Sequence, residues 1–107
     1  MKPINYTRED IIRRTGDKLN LTHDEMKLIL ETTLDTMAEM LTEDYSRIRI
    51  ELRNFGIFEV KPTKAKPKAR NPKTNEEVYV PARRKIHFKP GKIIRQELQQ
   101  EWLKPSE

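Results

Sequence analysis

The sequence predicts an α+β domain in which two N-terminal helices precede antiparallel strands, an extended β-ribbon arm and a C-terminal helix. Three observations carry that expectation. Apolar residues recur at three- and four-residue steps as far as Leu41. From Arg47 they alternate singly with charged ones. A basic, nearly apolar-free stretch then runs to a turn cluster and returns. With 107 residues there is room for one domain, 1–107. It divides into a helical dimerisation body (7–46), strands and arm (47–92), and a closing helix and tail (93–107).

Each element has a local cause. Thr7 is an N-cap candidate, and Glu9 and Asp10 place negative charge in the first turn of helix one. Gly16 lies toward the weak end of that helix. Thr22 followed by Glu25 reads as a capping box. Met26, Ile29, Leu30, Leu34, Met37 and Leu41 then form one stripe along a helix of roughly six turns, widened by Leu28 and Met40. A short helix cannot enclose such a stripe, so part of it should face another subunit. The low apolar content, 35% against 36% charged, points the same way.

Ile48, Ile50 and Leu52 alternate with Arg47, Arg49, Glu51 and Arg53 as in a half-buried strand. Asn54-Phe55-Gly56 reads as a tight turn in which Asn and Gly both tolerate positive φ. Residues 57–60 return, with Phe58 and Val60 on one face. Along 61–70 the lysines Lys64, Lys66 and Lys68 alternate, while Pro62 and Pro67 demand an exposed edge. Asn71-Pro72-Lys73-Thr74-Asn75 is the turn, and Val78 and Val80 lead back, with Tyr79 on the other face. Phe88-Lys89-Pro90-Gly91-Lys92 opens the last helix, where Ile94, Leu98 and Trp102 are spaced by four and should pack on the body. Pro105-Ser106-Glu107 is expected to fray.

Charge is unevenly distributed. Residues 1–46 hold 6 basic and 10 acidic side chains, whereas 47–92 hold 14 basic and 4 acidic. That concentration suits a surface that meets phosphate. Catalysis finds little support. His23 and His87 have no metal-ligand companions at usual spacing, and Asp24-Glu25 reads as helix first-turn charge. With 3 Gly there is no glycine-rich phosphate loop, and with no Cys there is no thiol chemistry. No cofactor, metal or small-molecule substrate is expected. No apolar run approaches a membrane span, and 1–6 does not resemble a secretory signal, so a cytoplasmic protein is expected.

Four motifs in order, Asn54-Phe55-Gly56-Ile57-Phe58-Glu59-Val60, Arg70-Asn71-Pro72-Lys73-Thr74, Val80-Pro81-Ala82 and Phe88-Lys89-Pro90-Gly91-Lys92, resemble the HU/IHF family of bacterial histone-like DNA-bending proteins. The resemblance runs from about Thr7 to Leu98. It implies a three-stranded antiparallel sheet in each chain and an intertwined dimer, a homodimer or a pair with a paralogue, whose two arms embrace double-stranded DNA in the nucleoid. It makes Pro72 the residue that intercalates into a minor-groove step, flanked by Arg70 and Asn71. Phosphate contacts would come from Arg53, Lys61, Lys64, Lys66, Lys68, Lys73, Arg83, Arg84, Lys85, Lys89 and Lys92. The implied activity is bending and compaction of DNA, largely without sequence specificity, because the minor groove offers a degenerate code.

Departures from the family pattern are local. Asn54 and Asn75 stand where glycine is usual and should adopt the same backbone. Ala69 replaces a frequent glycine. The ascending arm strand is one residue long, so a bulge should absorb the extra residue. The competing reading is an RNA-binding or ribosome-associated protein with a basic hairpin. Single-strand RNA readers expose several stacking aromatics, whereas this arm has only Tyr79. A bare oligomerisation module would not need the basic middle segment.

Overall fold

The computed structural model describes residues 2–103, so the tail expected to fray lies outside the described residues. The chain divides into two compact units, Met1–Thr42 and Glu43–Glu107.

The first unit is a helix pair, α1 (Arg8–Leu19) and α2 (His23–Leu41). The Thr7 amide and hydroxyl donate to Asp10 Oδ2 at 2.8 and 3.0 Å, so α1 starts on a capping box as well as on first-turn charge. The Thr22 hydroxyl accepts from the Glu25 amide at 3.2 Å, and Glu25 Oε1 accepts from the Thr22 amide at 3.0 Å. These donated hydrogen bonds hold the Asp10 and Glu25 carboxyls below the usual carboxylate range. Asn20 in the left-handed region (φ 58°) ends α1.

Gly16 is a close-packing position rather than a weak end. It is buried, and a Cβ there would lie 3.3 Å from the Leu21 carbonyl oxygen and 3.7 Å from Met26 Cβ. Ile12 and Met26 are the buried hydrophobic side chains of this unit, while Leu28, Ile29, Leu34 and Met40 stay exposed. As the periodicity predicts, two helices leave part of the α2 stripe uncovered.

The second unit contains β1 (Ile48–Leu52), β2 (Gly56–Pro62), β3 (Lys66–Arg70), β4 (Glu77–Val80), β5 (Arg84–Pro90) and α3 (Lys92–Gln99). Strands β1, β2 and β5 form an antiparallel sheet with β2 central, and β3 and β4 form a separate two-stranded ribbon. The register aligns Ile48, Val60 and Ile86, then Ile50, Phe58 and Phe88. Directly opposed residues share a face. One face is therefore apolar, with Val60 buried and the Phe58 and Phe88 rings 4.9 Å apart at their centroids. In the single chain Ile86 and Phe88 are still 53% and 43% exposed.

The turn from β1 to β2 uses one left-handed residue. Asn54 takes φ 68°, and no glycine has positive φ. Gly56 is required for another reason: a Cβ there would fall 2.5 Å from the Phe88 ring and 2.6 Å from the Lys89 carbonyl oxygen. Gly91 lies under the same turn, its amide donating to the Phe55 carbonyl at 2.8 Å.

At the far end the expected packing stripe is not formed. α3 stops at Gln99, Gln100 is extended, and Trp102 is no longer on the helix face. Leu98 and Trp102 are 77% and 74% exposed. The run Gln99-Gln100-Glu101 is polar and exposed, so it buries no apolar side chain that would offset the ordering of another turn.

Candidate nucleic-acid interface

The ribbon begins where Thr63 grips Arg83. The Thr63 amide donates to the Arg83 carbonyl at 2.7 Å, and the Arg83 amide donates to Thr63 Oγ1 at 2.9 Å. Beyond this clasp β3 and β4 pair antiparallel, Lys66 opposite Val80 and Ala69 opposite Val78. Three steps on β3 match two on β4, so a bulge at Pro67-Lys68 absorbs the extra residue and the register recovers at Arg70–Glu77. The bulge also carries Pro67, which has no amide to give to the ladder.

Asn71 builds the tip. Its side-chain oxygen accepts from the Lys73 amide at 2.9 Å, its carbonyl accepts from the Asn75 amide at 2.7 Å, and its amide donates to Glu76 at 2.8 Å. That Asx turn leaves Pro72 exposed at the apex. Asn75 turns the chain at φ 59°. The Arg70 guanidinium donates to the Asn75 carbonyl and side-chain oxygens at 3.2 and 3.4 Å, so it spans the base of the turn. Lys64, Lys66, Lys68, Arg70 and Lys73 are exposed, and among the described residues none is in an ion pair.

The polar face of the sheet collects a second group. Register places Arg49, Glu59 and His87 side by side, Lys61 opposite Lys85, and Lys89 opposite Ile57. Arg49, Glu59 and His87 were not among the site residues expected from sequence. Their signal was the period-2 alternation, which assigns them to the face opposite Phe58 and Val60.

Glu59 is the centre of this face. Lys61 Nζ lies 2.9 Å and Lys89 Nζ 3.5 Å from its Oε1, and Arg49 Nε 3.6 Å from its Oε2. The nearby Lys61 ammonium, with the charge of Lys89, holds the carboxyl below its ordinary value.

Other expected contacts are placed differently. The Arg84 guanidinium donates to the carbonyls of Glu43 and Tyr45 at 2.6 and 2.9 Å, anchoring the segment that leads into β1. Arg53 sits on the exposed β1–β2 turn, whose Asn54 backbone abuts Gly91, and Lys92 starts α3 directly after it. Arg53 and Lys92 thus leave adjacent backbones at one end of the sheet. Among the described residues no cluster of three or more His, Asp or Glu could hold a metal, and no helix is long and apolar enough to cross a membrane.

A family model described as "Bacterial DNA-binding protein" matches residues 6–99. Integration host factor subunit alpha from Hydrogenovibrio crunogenus is 38% identical over 92 residues, covering 86% of this chain and 91% of that protein. DNA-binding protein HU from Thermotoga maritima is 33% identical over 92 residues, covering 86% and 98%. The structure also resembles that of Anabaena HU solved as a cocrystal with DNA. The TM-score is 0.77 at 28% identity, over 90% of this chain and 100% of that one.

Proposed function

The chain belongs to the bacterial DNA-binding protein family that includes HU and integration host factor, and on that premise we propose that it binds and bends double-stranded DNA as an architectural protein. Its role is mechanical rather than catalytic. The observation that carries the reading is the ribbon: exposed lysines with no ion-pair partner among the described residues lead to an exposed proline held on an Asx turn. Lysines along such a ribbon can track phosphates, and each phosphate neutralised releases counterions.

Pro72 suits a wedge because its ring is apolar and rigid and carries no amide to desolvate. Insertion between base pairs costs a few kcal/mol of unstacking and kinks the duplex, which brings flanking DNA toward the body. There the polar sheet face offers Lys61, Lys85 and Lys89. At the end of the sheet, α3 has no side-chain cap and no acidic residue in its first turn, so its amides suit a phosphate beside Lys92.

The protein works as a dimer in this reading, most simply of identical chains. The exposed apolar stripe of α2 and the half-open apolar face of the sheet both need cover that one chain does not supply. Such a protein belongs with chromosomal DNA in the nucleoid.

The test is a competition gel shift with linear duplex, nicked duplex and single-stranded RNA over a salt series. The expected order is nicked duplex tightest and RNA weakest, with affinity falling steeply as salt rises. Equal or tighter binding to RNA would overturn the reading.

A further inference from the structure

The polar face of the sheet holds its cations differently from the arm. Glu59 lies on the middle strand, with Arg49, Glu51, Lys61, Lys85, His87 and Lys89 on the same face. Its side chain is only 13% exposed, and it contacts Arg49, Lys61 and Lys89 within 3.6 Å. We infer that Glu59 is an internal competitor for DNA phosphate, occupying Lys61 and Lys89 in the free protein so that DNA engages the sheet face only by displacing a carboxylate. The inference rests on the DNA-binding reading and refines it.

The physical argument is one of partners and charge. A lysine ammonium carries three donors, so it can turn from one acceptor to another. A phosphate that takes Lys61 or Lys89 brings negative charge next to a carboxylate deprived of its counterions. The arm lysines face no such cost, because none is paired among the described residues. DNA should therefore meet the arms first and close onto the sheet face second. Salt reports the exchange. A carboxylate stripped of its lysines takes up a cation from solution, which offsets part of the counterion release on binding.

The experiment compares Glu59→Gln with the unsubstituted protein on one duplex over a salt series. In about 0.1 M salt the variant should bind about fivefold tighter, because one lysine–carboxylate attraction at about 4 Å in water no longer has to be broken. Its log–log salt slope should be steeper by about one. In a Lys61→Gln/Lys89→Gln background the gain should shrink, because only Arg49 is then left for the carboxylate to withhold.

A variant-free readout accompanies these. Carboxyl carbon NMR of Glu59 in the unsubstituted protein should show its titration midpoint rising when DNA is bound. An unmoved midpoint overturns the inference. So does an equal gain in both backgrounds, which would mean a general field rather than sequestered lysines. These results leave the DNA-binding reading standing, whereas failure of the unsubstituted protein to bind duplex DNA overturns both.

Discussion

The arm and the sheet are both antiparallel β-structure rich in lysine, yet they are held together by different means. The sheet has an apolar ladder on one face, and its polar face ties cations to Glu59. The arm has no buried residue. Its order comes from turn chemistry at Asn71 and Asn75, a bulge at Pro67-Lys68 and the Thr63–Arg83 clasp. The difference teaches where stability resides and which charges stay available. A strand pair without a core is cheap to move and leaves its charges available, while a packed strand holds its charges in place.

Substitutions should separate the two regions. Replacing Lys64, Lys66, Lys68 and Arg70 together with Gln should have the largest effect on binding. The salt slope should become shallower by about 0.9 for each phosphate left without its cation, and the thermal melt should be nearly unchanged. A matching loss of stability would mean that the arm is part of the folded core.

Gly56→Ala should do the opposite. Its Cβ has no room against Phe88 and the Lys89 backbone, so the sheet should lose about 3 kcal/mol by chemical denaturation. An undiminished stability would show that the β1–β2 turn has slack.

The smallest effect is expected in the helix pair. His23 Nε2 lies 2.8 Å from Glu9 Oε2, and this hydrogen bond, with that to Asp24, raises the His23 pKa. A raised folded-state value means the contribution is complete below about 6.5, the unfolded-state value, and is lost as pH rises through the folded-state value. The melting temperature should therefore decline slightly from pH 6 to pH 8, and His23→Gln should flatten that decline.

Much of this fold was legible because local signals agreed. The period change at Arg47, the Thr22–Glu25 box and the four ordered motifs placed the helices, strands and arm. The one-residue excess in the arm pointed to the bulge that β3 contains. What was not legible depended on partners distant in sequence. Gly56 looked like a turn glycine, yet it is demanded by a phenyl ring 32 positions later in the chain.

Arg84 was expected at phosphate, and nothing near it in sequence signalled that its Nη1 also binds the carbonyls of Glu43 and Tyr45. Glu59 looked like an ordinary strand residue until register set three cations around it. The step-four spacing of Ile94, Leu98 and Trp102 suggested a longer helix, and periodicity alone could not report that the polar residues between Leu98 and Trp102 would end it.

The central claim is that the exposed proline at the arm tip bends DNA. Fluorescence transfer between dyes at the two ends of a short duplex tests it most directly, with the protein at saturation. The account predicts increased transfer with the unsubstituted protein and a clear reduction with Pro72→Ala at equal occupancy. Equal transfer for the two proteins at saturation would contradict it.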